Sequence, residues 1–103
     1  MSARMHVERI LAVLRTGASG IHAMEQAVAS ADRTAVLEER EPADMRERSG
    51  TARAQMRIAL SNAIGVQEEH VREASRHGAT ADEIAGATGW SADRVDGLLR
   101  AAT

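Results

Sequence analysis

The stretch HGATADEIAGATGWSADRVDGLL, residues 77–99, carries the clearest structural signals in this chain of 103 residues. Thr80 is a favourable N-cap residue and Glu83 follows three positions later, which together form the capping box that starts a helix. Gly89 can adopt the left-handed backbone conformation that a tight turn needs. Ser91 is a suitable cap for a second helix. The stretch therefore predicts two short helices joined by a turn at Gly89.

The spacing of small and apolar residues predicts how these two helices cross. Ala85 lies four positions before Gly89, and Val95 lies six positions after it. A small alanine lets two helices approach closely, the glycine makes a short turn, and the valine fills the angle between the helices, as in a helix-turn-helix. Helical spacing adds further inward-facing residues, namely Ile84, Leu98 and Leu99.

The longer segment REASRHGATADEIAGATGWSADRVDGLL, residues 72–99, resembles the helix-turn-helix of small bacterial regulators and of the sigma-factor region that reads promoter DNA. The resemblance implies a first motif helix over residues 80–88 and a recognition helix over residues 91–100, whose N-terminal part enters the major groove. The same three-helix shape also serves as a protein-binding module, so it does not decide between the two functions.

The resemblance also implies which side chains contact DNA. Two carboxylates, Asp93 and Asp96, fall on the same face as the groove contacts, where they oppose phosphates of the same sign. An aspartate can accept a hydrogen bond from cytosine N4, so this face is compatible with DNA. The arginines involved also have acidic neighbours at helical spacing, which offers ion pairs as the alternative. The implied groove contacts are Ser91, Ala92, Arg94 and Arg100, and the implied phosphate contacts are Arg72, Arg76 and Thr80.

The composition indicates a helical protein without a basic surface along the whole chain. The formal net charge is −2, and the sequence contains 13 basic residues, all arginine. Alanine, glutamate, arginine and methionine favour helix, and proline occurs once, at Pro42. We expect an all-α, multi-helix bundle with a C-terminal helix-turn-helix. No apolar run suits a signal peptide or a membrane span, which predicts a cytoplasmic bacterial protein with no membrane contact.

Apolar spacing and glycine positions predict the helices of the N-terminal part. Gly17 is interpreted as a stop signal, and Pro42 as the residue that either ends a third short helix or begins the next helix. The charged segment 38–50 is predicted to be a linker or mobile loop. The predicted helices span residues 2–15, 19–30, 34–41 and 51–76, with a bend or break at Gly65 and an end at Gly78.

The chain is expected to divide into residues 1–50, a helical dimerisation or partner-binding segment, and residues 51–103, a long helix plus the helix-turn-helix. On the first helix, Val7, Ile10, Leu11 and Leu14 share one face. That face is either ordinary core or a surface through which Val7, Ile10 and Leu14 bind a second copy or a partner.

Trp90, the sole aromatic residue, has two interpretations as well. It either plugs the core next to the turn or anchors a partner protein, because tryptophan is favoured at the centre of interfaces.

Metal and enzyme chemistry have little support in the sequence. His70, Glu73 and His77 lie on one side of a predicted helix, but no further histidine or cysteine is near in sequence. His6 and His22 stand alone and are expected at the surface or its boundary. No glycine-rich phosphate loop, cysteine or nucleophile motif occurs. We therefore predict no metal, no cofactor and no catalysis.

Two functions fit these observations. The first is a small DNA-binding transcriptional regulator, dimeric, that binds double-stranded DNA through its C-terminal helix-turn-helix. The alternative is a protein–protein interaction module, such as an adaptor, an inhibitor or a phage-type accessory protein, which keeps the trihelical shape without binding DNA. The acidic sequence pI of about 6.1 favours the alternative.

Overall fold

The computed structural model describes residues 3–101. This part of the chain forms four α-helices and no strand: α1 (Ala3–Glu38), α2 (Ala43–Arg76), α3 (Ala81–Thr88) and α4 (Ala92–Ala101). The predicted all-α, multi-helix bundle is confirmed. None of these helices is both long enough and apolar enough to cross a membrane.

The two long helices form an antiparallel hairpin that sets the shape of the molecule. Its principal extents are 59, 25 and 16 Å. Contacts between the helices run in opposite directions along the chain, since residue 38 meets 53, residue 32 meets 57, and residue 14 meets 67. Only residues 39–42 connect the two helices.

The predicted end of the first helix at Gly17 is wrong, because α1 is continuous through this residue. A Cβ atom at Gly17 would lie 2.2 Å from Gln67 Oε1. Gln67 is buried and donates a hydrogen bond from Nε2 to the Leu14 carbonyl oxygen at 2.8 Å. The glycine therefore permits a close approach of α2 to α1, and this contact offsets its low helix propensity, which costs about 1 kcal/mol.

The predicted linker over residues 38–50 is also wrong, since α2 begins at Ala43. Pro42 precedes the helix with a φ of −55°, which suits a helix start. The dense charge lies on an exposed helical surface, where Arg48 pairs with Asp44 one turn earlier at 3.3 Å. Glutamate, arginine and methionine are good helix formers, which explains the extension. Gly65 likewise lies inside a continuous α2.

The hydrophobic core lies at one end of the hairpin, where α3 and α4 pack against it. All four helices contribute to it, and its largest fully buried side chains are Leu14, Val71, Ile84 and Val95. Trp90 is partly buried against the same cluster. We call this part of the molecule the core end, and residues 22–66 the arm.

The core also decides the role of the apolar face on α1. Val7, Ile10 and Leu14 are 3%, 7% and 0% exposed, and they pack within the same chain. Their predicted alternative role as partner contacts is wrong, because side chains enclosed in their own core cannot reach a second protein. Leu11 is buried with them, so the whole predicted face is core.

The local signals of residues 77–99 are confirmed one by one. Thr80 Oγ1 accepts from the Glu83 amide at 3.1 Å, and Glu83 Oε1 accepts from the Thr80 amide at 3.1 Å, which completes the capping box. Gly89 ends α3 with a φ of 73°. Ser91 Oγ accepts from the Arg94 amide at 3.1 Å and caps α4. Gly78 follows the last turn of α2 with a φ of 101°, as a helix end of this kind requires.

Candidate functional site

The outer face of α4 is the first candidate surface. Val95 is fully buried and fixes the inner face of the helix against the core. The turn at Gly89 sets α4 apart from α3, and the Thr88 hydroxyl stabilises this turn by donating to the Ile84 carbonyl oxygen at 2.9 Å and accepting from the Trp90 amide at 3.1 Å. The exposed residues of α4 and its cap are Ser91, Ala92, Asp93, Arg94, Asp96, Arg100 and Ala101.

Arg94 and Arg72, which are expected to contact DNA, interact within the chain. The Arg94 guanidinium carbon lies 3.8 Å from the centroid of the Trp90 ring, which is a cation–π contact. Arg72 Nη1 lies 2.6 Å from Glu69 Oε1. Arg76 is exposed at the end of α2. Binding a phosphate through Arg72 or Arg94 therefore competes with an existing contact.

The N-terminus of α3 already has a carboxylate bound to it. Glu83 accepts a hydrogen bond from Arg4 of α1 as well as from the Thr80 amide, and these bonds, the one from Arg4 first, lower the pKa of Glu83 to about 2. The ionised carboxylate occupies the position where a phosphate would approach Thr80. A phosphate contact at Thr80 would have to displace it.

A groove between α1 and α2 is the second candidate surface, and sequence reasoning missed it. It has a volume of about 570 Å³ and an almost wholly apolar lining. Its rim includes Val13, Met24 and Val66, which are 47%, 38% and 57% exposed. Its floor includes Gly17 and Gly20. We call it the hairpin groove.

The hairpin groove exists because α1 presents small residues toward α2 at helical spacing. Ala12, Thr16, Gly17 and Gly20 all line it, and a Cβ atom at Gly20 would meet nothing within 4 Å. The signal was present in the sequence as a repeat of small residues. This repeat does not by itself predict a groove, because a glycine in a helical segment is equally typical of a helix end, as predicted at Gly17.

The surface area of the monomer is large for its mass. The chain of 11.0 kDa exposes 6687 Å². A compact monomer of this mass exposes about 5,600 Å². The radius of gyration is 17.7 Å, whereas a compact domain of this length has about 13 Å. The excess is about 1,000 Å², close to the ~800 Å² that each partner buries in a standard interface.

The molecule thus offers a charged, mixed-sign helix face and an apolar groove at different places. Comparisons of the chain with protein-family models, with curated proteins and with solved structures find no match. Function is therefore inferred from the chain's own geometry and charges.

Proposed function

We propose that the protein is a helical protein–protein interaction module that docks through the hairpin groove, and that the occupant of this groove is the hairpin of a second copy. The observation that carries the proposal is the hairpin groove itself. Val13, Met24 and Val66 are exposed around a floor that lacks side chains at Gly17 and Gly20. Large exposed apolar patches mark interaction sites in soluble proteins.

We infer that a second copy occupies the hairpin groove because its α1 side carries both large side chains and glycines. It combines protruding side chains, Val13 and Met24, with a trough at Gly17 and Gly20 on the same helix. In a two-fold interface the same patch meets itself, so the protruding side chains of each copy enter the trough of the other. Two hairpins joined in this way form a four-helix bundle. The surface excess of the elongated monomer, about 1,000 Å², is close to the ~800 Å² that each partner buries in a standard interface.

The proposed dimer gives the core end a role. Each copy contributes one α3–α4 unit with an exposed α4 face. The dimer is thus an adaptor with two identical surfaces for a further partner. Partly exposed Trp90, stacked with Arg94 beside this face, is a suitable anchor for such a partner.

Sedimentation velocity over a wide concentration range tests the pairing. We expect a concentration-dependent dimer for the natural chain. Gly20→Leu fills the trough, its Cβ would meet nothing within 4 Å in the monomer, and leucine is a better helix former than glycine, so the variant should stay folded and become monomeric.

A matched pair of valine variants serves as the control. Val66→Glu places a charge in the hairpin groove and should abolish the dimer, whereas Val36→Glu changes a valine that is 68% exposed and lies outside the groove lining. A natural chain that stays monomeric at every concentration would disprove the pairing, and so would equal effects of the two valine variants.

DNA binding by the α3–α4 unit is a second candidate function. The observation that favours it is the solvent-exposed outer face of α4, held apart from α3 by the left-handed Gly89. The proposed groove contacts remain Ser91, Ala92, Arg94 and Arg100, and the proposed phosphate contacts remain Arg72, Arg76 and Thr80. Asp93 and Asp96 on the same face oppose it electrostatically.

A titration with random duplex DNA at low salt, repeated at higher salt, tests this candidate. Arg76→Ala should weaken binding and reduce its salt dependence, because Arg76 is exposed at the core end. Arg48→Ala, near the opposite end of the hairpin, is the matched control and should leave the affinity unchanged. Absence of binding at about 50 mM salt would eliminate the candidate.

A further inference from the structure

Two histidines and a glutamate that are distant in sequence come together at the core end. His6 lies on α1, Glu73 on α2, and His77 at the C-cap of α2. One ligand atom from each lies within 4.8 Å of the ligand atoms of the other two. The imidazole rings of His6 and His77 have centroids 4.2 Å apart and are tilted by 58°. We call this group the His–Glu–His cluster.

The fold explains why these three side chains meet. Glu73 and His77 are four residues apart, so they occupy the same side of the last turn of α2. Val7, the neighbour of His6, is buried in the core together with Val71 and Ala74 of α2. This packing holds the start of α1 against the end of α2. Two ligands from one helix end and a third from the adjacent helix are thus positioned by the best-packed part of the molecule.

We propose that the His–Glu–His cluster binds a divalent transition-metal ion of the zinc type. Imidazole nitrogen suits Zn²⁺, Ni²⁺ and Cu²⁺, and a carboxylate oxygen completes a set of three protein ligands. Such a set leaves a coordination position for water or for a group from a partner. Mg²⁺ and Ca²⁺ prefer oxygen ligands alone and do not match this set.

The geometry requires only a small adjustment of the side chains. Zinc bonds of about 2.0–2.1 Å in a tetrahedral arrangement place ligand atoms about 3.4 Å apart. His6 and His77 are exposed, so their rings can rotate to close the remaining distance without disturbing the core. Glu73 is half-buried and also borders a small groove that Arg9 lines.

A bound ion would connect the start of α1 with the C-cap of α2, directly before the segment that leads into α3. It would therefore stabilise the folded state by mass action, since the three ligands are together only in that state. This inference does not depend on the function proposed for the hairpin groove.

Isothermal titration with ZnCl₂ near neutral pH, together with thermal unfolding in Zn²⁺ and in Mg²⁺, tests the site. We expect one Zn²⁺ per chain, a rise in Tm with Zn²⁺ and none with Mg²⁺. Co²⁺ should give the visible absorption of a tetrahedral nitrogen and oxygen site. His6→Ala and His77→Ala should each weaken Zn²⁺ binding by about 100-fold or more while leaving the Tm without metal unchanged, because both side chains are exposed.

Two other histidines serve as matched controls. His70→Ala removes an imidazole from the same helix, and His22→Ala removes an exposed one from α1; neither belongs to the cluster. Both variants should bind Zn²⁺ as the natural chain does. Binding that persists unchanged in His6→Ala, or a Tm that Zn²⁺ does not alter, would overturn the proposal. Repeating the titration with Gly20→Leu separates ion binding from pairing at the hairpin groove, since this change lies far from the cluster.

Discussion

The core end and the arm are built from the same two long helices but are stabilised in different ways. At the core end, Leu14, Val71, Ile84 and Val95 are fully buried. In the arm, residues 22–66, no residue is buried. Ion pairs such as Arg53 with Glu38 connect the two helices there. Stability in this molecule is thus concentrated at one end, and local opening should begin at the other.

The largest expected change in the free energy of unfolding comes from replacing an isoleucine by alanine at the core end, with the same replacement in the arm for comparison. Ile84→Ala should lower the free energy of unfolding by about 2–5 kcal/mol, because it leaves a cavity at a fully buried position. Ile58→Ala, at a side chain that is 60% exposed, should change it by about 0.5 kcal/mol or less. Urea unfolding at low protein concentration measures both. Similar losses of stability in the two variants would mean that the arm has a hydrophobic core of its own.

Alanine substitutions at two glycines of α1, close to the boundary between the core end and the arm, should change the free energy of unfolding in opposite directions. Gly17→Ala should destabilise by about 1–3 kcal/mol, since the new Cβ would lie 2.2 Å from the side chain of Gln67, which is buried and hydrogen-bonded. Gly20→Ala should stabilise by about 0.5–1 kcal/mol, because its Cβ meets nothing within 4 Å and alanine favours helix. Urea unfolding of both variants is the measurement. A stabilising Gly17→Ala would show that the close approach of α2 is not needed.

The bond between Arg4 and Glu83 gives the core end a pH dependence. Since hydrogen bonds from Arg4 and from Thr80 depress the pKa of Glu83 from 4.5 to about 2 in the folded state, its stabilisation is present above about pH 4.5. The stabilisation by ionised Glu83 is lost as the pH falls through its folded-state pKa of about 2. Glu83→Gln should therefore be less stable than the natural chain above pH 4.5, and the difference should vanish near pH 2. Denaturation at a series of pH values measures it. If the difference in stability between Glu83→Gln and the natural chain does not change with pH, the charge of Glu83 does not stabilise the fold.

Removing an exposed ion pair in the arm should have a small effect on the free energy of unfolding. Arg57→Ala removes an ion pair with Asp32 whose side chains are 52% and 47% exposed, so the loss should be about 0.2–1 kcal/mol and should diminish in high salt. Arg53→Ala is the experiment to set beside it. Arg53 and Glu38 are only 22% and 20% exposed, so the loss of stability in this variant should depend less on salt. Equal salt dependence of the two variants would mean that burial does not distinguish these pairs.

The C-terminal part of the fold was predictable from sequence because its signals are local. The capping box of Thr80 and Glu83, the turn at Gly89 and the cap at Ser91 each act over a few residues, and each is present as predicted. The stripe of Val7, Ile10, Leu11 and Leu14 was likewise identified, since a buried helical face repeats regularly. Its placement inside the monomer required the coordinates, because spacing alone does not say what covers a face.

The long helices and the candidate sites could not be predicted in the same way. Gly17 resembles a helix stop until its contact with Gln67, 50 positions later, is known. The charged segment 38–50 resembles a loop because Met45 is its only large apolar residue, so no apolar face marks it as a packed helix. The His–Glu–His cluster depends on His6 meeting the end of α2, a contact between distant parts of the chain. Tertiary contacts decide these features.

The contact between Gly17 and Gln67 has a consequence for how this chain can change in length. It fixes the register of α1 against α2 at one point, and no residue of the arm, 22–66, is buried. We therefore expect insertions or deletions of whole helical turns to be tolerated in the arm when both helices change equally. A change in only one of them would shift the ion pairs between the two helices and misalign the connecting residues. The length of the arm can therefore vary, whereas the contact between Gly17 and Gln67 must stay in place.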